Sequence, residues 1–360
     1  MKHTGESGRR RSAGRRVLNI LLVFLLIFLI LVLIGMGYTL AMLGKMNYVG
    51  EQEATFSPAE LENYMEQSKD EEIPEGEDAV LDYCEHLARL QEAVADQLIL
   101  IPRVYGNKPR TTGDVYKGLL PQPDPEQESD MLEGVVAIRR LHTHVLANTG
   151  LSTADELLYP ANYRYLSDLL SYVTVGARSV ENQEHRLTAS GICVPVGMKN
   201  PTSGDISVML NSIMAAQHPH TFIYRGWEVD TTGNDLAHAI LRGYVNKHGD
   251  AIPNYHFEDL EFLFHAYSAK GLKNMALIVD ANHANSGKNP EQQARICKDV
   301  LYTCRHNRHI LDMVKGFMIE SYLEEGSQQI GERIYGKSIT DPCIGWDATE
   351  ALVKDLAYLL

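Results

Sequence analysis

The chain has 360 residues, 44% of them hydrophobic, and a formal net charge of -14. That length holds one large buried core, and a parallel α/β barrel of about 250 residues fits inside it with an addition to spare. The acidic balance excludes nucleic acid as the main partner, because binding a phosphate backbone requires a basic stripe that the sequence lacks.

From Val17 to Ile34 the run VLNILLVFLLIFLILVLI holds one polar residue, Asn19, and apolar character continues to about Leu43. Such a run can cross a bilayer core of about 30 Å, so a single transmembrane helix is expected over 17–43, behind a basic tail over 1–16. A cleaved signal peptide fits less well, since its apolar region covers only about 7 to 15 residues. Lys2, Arg9, Arg10, Arg11, Arg15 and Arg16 precede the run, and only Lys45 follows it before an acidic stretch. The positive-inside rule therefore places the amino terminus in the cytoplasm and predicts a single-pass membrane protein whose remaining chain is exported. Residues 44–77 read as an acidic, proline-punctuated linker with a short helix after Ser57-Pro58.

From Ala79 onward the pattern alternates between helix and strand, the signature of βα units around a parallel sheet. Helices are expected over 79–96, 131–147, 160–171, 183–190, 205–217, 256–270 and 290–305. Strands are expected in LILIPRV, in a short segment ending at Glu156, and in YVTVGAR, VPVGMK, TFIYRG with HAILRG, ALIVDANH and GFMIES. If TFIYRG and HAILRG count once, seven strands of barrel type result, and an eight-stranded barrel would lack its first. Cys84, Cys193, Cys297, Cys304 and Cys343 show no CxxC spacing, which fits reduced thiols rather than a disulfide framework or a zinc ribbon.

In parallel barrels the active site is assembled at the carboxyl ends of the strands. Those ends read Arg103, Glu156, Arg178, Lys199, Arg242, His283 and Glu320. Any one of them can be a rim residue, but seven in succession, each after an apolar run, call for a shared cause. Arg103, Lys108 and Arg110 crowd the stretch RVYGNKPRTTG, where guanidinium forks and the Thr111 and Thr112 hydroxyls suit a phosphate. Arg178, Lys199 and Arg242 add further cations, enough for at least two anionic groups. His283, Glu320 and Asp341 offer one imidazole and two carboxylates, a set suited to Mn, Fe, Co or Zn, although rim salt bridging explains such a trio as well.

The motifs RVYGNKPRTTG, GARSVENQEHR, PVGMKN, HAILRG, DANHANSGK, MIESYLEEG and YGKSITDPCIGW together resemble the class I 3-deoxy-7-phosphoheptulonate (DAHP) synthases, over about 78–360. The resemblance implies a TIM (β/α)8-type barrel and the condensation of phosphoenolpyruvate with erythrose 4-phosphate in the first step of the shikimate pathway. By the same resemblance Arg103 and Lys199 hold the phosphoenolpyruvate carboxylate, Arg178 and Arg242 hold its phosphate, and Lys108, Arg110 and Thr111 hold erythrose 4-phosphate. It marks Arg103, Lys108 and Lys199 as catalytic, Glu156 as an acid of the site, and His283, Glu320 and Asp341 as ligands of a divalent metal. A homo-oligomer is compatible with it.

The family's fourth metal ligand is a cysteine in a GPCSIH motif that ends the first barrel strand. The equivalent stretch here is DEEIPEG, with Glu72 near the cysteine position. Metal affinity and turnover are accordingly expected below the family norm, the alternative being an inactive, membrane-anchored phosphate-binding pseudoenzyme. Residues 1 to about 77 loosely resemble the membrane anchor and linker of LytR-type cell-wall ligases, so the chain reads as a hybrid, either a natural fusion or an artefact of gene prediction.

Overall fold

The computed structural model describes residues 77–104, 106–107, 118–123, 128–329 and 331–360. Helix α1 (Asp78–Val94) buries Leu81, Cys84, Leu87, Leu90 and Val94, whose three- and four-residue spacing makes one apolar face. Helix α2 (Met131–Thr149) starts where the Asp130 carboxylate accepts from the Leu132 and Glu133 N–H groups, and it stops at Gly150 in the left-handed region. Then follow β1 (Thr153–Glu156), a 3-10 helix (Pro160–Tyr165), β2 (Leu170–Val175), α3 (Gln183–Ala189), β3 (Val196–Lys199) and α4 (Ile206–Ala216). The middle of the chain contributes β4 (Thr221–Tyr224), β5 (Trp227–Asp230), β6 (His238–Leu241), β7 (Tyr244–Val245), β8 (Ala251–Ile252), α5 (Phe257–Ala269) and β9 (Leu277–Asp280). The chain closes with α6 (Gln292–His306), α7 (Arg308–Met313), β10 (Val314–Met318), β11 (Glu324–Ser327), β12 (Lys337–Ser338) and α8 (Trp346–Leu359).

Six strands form one sheet in the order β1-β2-β3-β6-β9-β10, and every neighbouring pair is parallel. Helices join successive strands, so all six carboxyl ends lie along one edge. All four residues of β3 and all four of β6 are buried, as expected for strands covered on both faces. Val173, Val175, Met198, Leu241, Leu277 and Val279 from the sheet meet Met209, Ile213, Leu260 and Ile296 from the helices in one core. Arg103 lengthens the sheet beyond β1 by a single parallel bridge to Ala154. From there its guanidinium Nη1 reaches Met318 Sδ on β10, 3.2 Å away, so the sheet is curled until its two ends stand one side chain apart.

Three local expectations change. LILIPRV forms no strand beyond the Arg103 bridge: Pro102 has no N–H to donate, and no described strand stands on its far side. The helix expected over 160–171 stops at Tyr165 with i to i+3 bonds, such as Asn162 N to Tyr159 O, and Leu170 already opens β2. Leu166, Leu169 and Leu170, which imitate a helical face in sequence, are core residues at the entry to a strand. TFIY pairs with WEVD in a separate antiparallel hairpin, and HAIL alone joins the sheet.

The single-pass membrane localisation expected from the amino-terminal sequence does not stand. Among the described residues no helix is long and apolar enough to cross a bilayer, and a membrane partner has no support from this fold. The apolar run over 17–43, the basic tail over 1–16 and the resemblance to LytR-type anchors fall outside the described residues, apart from Glu77 at the end of the linker.

Candidate active site

The carboxyl edge of the sheet gathers the expected residues. Glu156 ends β1, and its Oε2 accepts from Arg103 Nη2 at 2.6 Å, a short charge-assisted bond between two largely buried groups. Gly176, just past β2, makes room for that carboxylate: a Cβ there would lie 2.3 Å from Glu156 Oε1. Lys199 ends β3 and is buried, with its Nζ donating to Asp280 Oδ2 at the end of β9 over 3.1 Å. Arg242 follows β6, and its buried Nη1 finds no hydrogen-bond acceptor among the described residues. Burial disfavours the charged Arg242 guanidinium and lowers its pKa; Asp280, Asp341 and Glu156 oppose that effect, while Arg178 adds to it. Arg178 itself sits exposed in the turn after β2, close enough for its charge to act on Arg242.

His283 lies three residues beyond β9 with φ +53°, a left-handed conformation that costs a non-glycine residue energy and is often retained at functional positions. Its Nδ1 stands 2.9 Å from Asp280 Oδ2, which leaves Nε2 as the nitrogen aimed elsewhere. Burial opposes ionisation of Asp280, but His283, Lys199 and Arg242 outweigh it and hold the carboxyl well below the usual carboxylate range. Glu320, two residues beyond β10, is buried, and Gln293 of α6 clamps it by accepting from its N–H and donating to its carbonyl. Asp341 comes from the loop ahead of α8. One ligand atom each from His283, Glu320 and Asp341 lie within 4.8 Å of one another. An imidazole with two carboxylates at that separation fits a hard or borderline divalent cation.

Cys84 does not supply a fourth ligand. It is packed with Leu81, Val104, Leu141 and Val145, and burial pushes its thiol up to about 12, so it is no thiolate at neutral pH. Lys108, Arg110 and Thr111 lie outside the described residues.

The sequence reading missed the residues that fix these side chains. Asn200 Oδ1 accepts from the Arg242 N–H, and its Nδ2 donates to the Gly243 carbonyl. Asn254 accepts from the Gly243 N–H and donates to Asn200 Oδ1, while Asn285 donates to the carbonyls of Leu241 and Asp280. Gly243, at φ +69°, must be glycine, because a Cβ would come within 2.6 Å of the Ala284 carbonyl carbon. These three buried amides tie together the ends of β3, β6 and β9, the strands that present Lys199, Arg242 and His283. The available signal was Asn200 adjoining Lys199 in PVGMKN and Asn285 two residues after His283 in DANHANSGK; Asn254 lies in neither motif.

A curled parallel α/β sheet whose carboxyl edge sets cations beside a histidine–carboxylate cluster defines an α/β enzyme architecture of barrel type. Residues 74–354 match the DAHP synthetase I family, and the chain belongs to it. It is 38% identical over 287 residues to the Phe-sensitive phospho-2-dehydro-3-deoxyheptonate aldolase of Escherichia coli (strain K12), covering 78% of this chain and 79% of that one. Its identity to the corresponding aldolase of Haemophilus influenzae is 37%, over 78% of this chain and 76% of the relative. The solved structure of the Francisella tularensis SCHU S4 aldolase superposes with a TM-score of 0.72 at 30% identity, covering 79% of this chain and 82% of that one.

Proposed function

We propose that this carboxyl edge is where the chain joins phosphoenolpyruvate to erythrose 4-phosphate, giving 3-deoxy-7-phosphoheptulonate and phosphate. The chain is an enzyme of the DAHP synthase type, acting at the first step of the shikimate pathway. The observation that carries the assignment of the site is the buried Nη1 of Arg242, which meets no acceptor among the described residues. A buried cationic donor without an acceptor is costly, and an anion arriving beside it recovers that cost.

Arg242 and Arg178 hold the phosphate of phosphoenolpyruvate, while Lys199 and Arg103 hold its carboxylate. Asp280 and Glu156 fix those last two cations in place, so little reorganisation is left for the substrate to drive. As C3 of phosphoenolpyruvate bonds to the aldehyde carbon, water adds at C2 and the phosphate group departs; Arg242 and Arg178 meet the charge it carries away. His283, Glu320 and Asp341 would hold a divalent ion, Mn, Fe, Co or Zn, which supplies Lewis acidity to the aldehyde oxygen when bound. Lys108, Arg110 and Thr111 are assigned to erythrose 4-phosphate by resemblance alone.

The fold proposed for this activity is a (β/α)8-type barrel without its first strand, spanning 78–360. Support comes from α1, which starts at Asp78, and from the absence of any described strand between Arg103 and β10. With three protein ligands and an open position, metal binds more weakly than at a four-ligand site, and turnover falls with it. A second reading, a phosphate-binding pseudoenzyme, is favoured by the same observation that no fourth donor joins the trio among the described residues.

Phosphate release from the two substrates by the purified full chain, with its metal content measured alongside, tests both readings. Slow turnover that depends on added divalent metal is expected. Turnover at ordinary family rates with stoichiometric metal would refute the impaired site, and bound metal without any product would put the second reading in place of the first.

A further inference from the structure

The ladder of β6 ends at Leu241, paired with Val279 of β9, and Arg242 and Gly243 carry the chain on into the site with no strand beside them. Their backbone groups still need partners, because peptide groups left bare in the interior are costly. Arg242 N–H donates to Asn200 Oδ1 at 2.9 Å, Gly243 N–H donates to Asn254 Oδ1 at 2.7 Å, and the Gly243 carbonyl accepts from Asn200 Nδ2 at 3.0 Å. The Arg242 carbonyl accepts from the Ala284 N–H at 3.2 Å. Side-chain amides thus stand in where the sheet stops, and a carboxamide suits the task because it offers an acceptor and two donors, as a pair of peptide groups would.

Asn254 links the members of this cradle, although it lies 11 residues beyond Gly243. The chain turns at Gly243, runs out along β7, comes back along β8 and returns Asn254 to the place it left. Besides holding the Gly243 N–H, Asn254 donates from Nδ2 to Asn200 Oδ1 at 3.2 Å, the atom that also holds the Arg242 N–H. Its own N–H donates to Asn285 Oδ1 at 2.8 Å, and Asn285 Nδ2 donates to the Leu241 carbonyl at 3.2 Å. One buried side chain therefore reaches, directly or through one other amide, the backbone of Leu241, Arg242 and Gly243. Its bonds run to this backbone and these amides, so its influence on an anion at the guanidinium passes through Arg242.

We propose that Asn254 is a positioning residue for Arg242: it fixes the backbone on which the guanidinium is mounted and so holds Nη1, a buried donor that meets no acceptor among the described residues, at the phosphate of phosphoenolpyruvate. The inference rests on the assignment of Arg242 to that phosphate. A planar fork has to be aimed as well as charged, and a small shift of its mount turns it away from the phosphate oxygens. A lysine at 242 would be a point charge on a flexible stem, far less dependent on the aim of its backbone. The contribution of Asn254 is therefore conditional on the arginine.

The test is a double-mutant cycle, read by calorimetric titration of phosphoenolpyruvate into the full chain with Mn²⁺ present, and accompanied by urea unfolding of each variant. Asn254→Ala is expected to weaken binding about tenfold when Arg242 is in place, and by less than about twofold in the Arg242→Lys background. Arg242→Lys alone is expected to bind roughly 10- to 100-fold more weakly than the wild type. Asn254→Asp is a second variant: it keeps an acceptor for the Gly243 N–H but sets an oxygen against Asn200 Oδ1, and a loss of about tenfold is expected again. A purely structural role gives a different pattern, a lower unfolding midpoint with unchanged affinity, or the same loss in both backgrounds. Either pattern overturns the proposal, as does failure of both Asn254 variants to fold, which would make the residue an anchor of the fold alone. Arg242→Lys binding as tightly as the wild type, or a wild type that binds no phosphoenolpyruvate, overturns the phosphate assignment itself and the proposal with it.

Discussion

Arg242 shows how a single side chain can declare its ligand. Its neighbours set its backbone through Asn200, burial strips water from its guanidinium, and Nη1 is left facing a space that offers no acceptor among the described residues. If that space receives the phosphate of phosphoenolpyruvate, Arg242→Lys should behave poorly despite keeping the charge, because a lysine offers a point charge where a planar fork is needed. A charged hydrogen bond of this kind contributes about 1.5–3 kcal/mol, so the KM for phosphoenolpyruvate should rise by roughly 10- to 100-fold. Steady-state kinetics with erythrose 4-phosphate held constant reads this directly; an unchanged KM would remove Arg242 from the phosphate site. Arg242, Lys199 and His283 were legible in the sequence because each follows an apolar run and carries a charge or an imidazole. Asp280 and the amides of Asn200, Asn254 and Asn285 were not, because their roles depend on which strand ends become neighbours in space.

Elements were legible where periodicity and packing agree, and α2 is such a case. Its buried face includes Ala137, Ile138, Leu141 and Val145, and in the same stripe His142, whose Nδ1 contacts Thr153 Oγ1 on β1. The 3-10 helix and the single-residue bridge at Arg103 were misread because an apolar run fixes burial but not the hydrogen-bond pattern of its backbone. His142 gives α2 an acid sensitivity. Burial lowers its pKa to about 4, with a smaller contribution from Arg139, against 6.5 for an exposed imidazole. The unfolded chain thus binds a proton between these values while the folded chain does not, so this contribution to stability is complete above pH 6.5 and is lost as pH falls towards 4. The loss amounts to at most about 3 kcal/mol. Denaturant unfolding from pH 7 to pH 4 should show a shallower decline for His142→Gln than for the wild type; parallel curves would mean that the imidazole is already solvated or paired in the fold.

At the scale of the whole molecule, the sheet order and the parallel register follow from the alternation of helix and strand, while the stretch where the first barrel strand would fall lies outside the described residues. The structure adds that the ends of the curled sheet stand close, with Arg103 reaching Met318 across the gap. His283 follows β9, Glu320 follows β10 and Asp341 precedes α8, so the trio draws on three successive segments on one side of that gap. A divalent ion held by all three would add a further link between segments already joined by the β9–β10 pairing and by the backbone bonds of Ile344 with Glu320 and Tyr322, and it would bind the folded chain in preference to the unfolded one. Ligand linkage then stabilises the fold by about 2.7 kcal/mol at a metal concentration one hundred times the dissociation constant, which shifts Tm upward by several degrees. Thermal unfolding of the full chain in increasing Mn²⁺ should show this rise, and His283→Ala should abolish it while leaving the metal-free Tm close to that of the wild type. A Tm that ignores Mn²⁺, or a rise that persists in His283→Ala, would mean that the three side chains act as rim charges and that the metal, if one is bound, sits elsewhere.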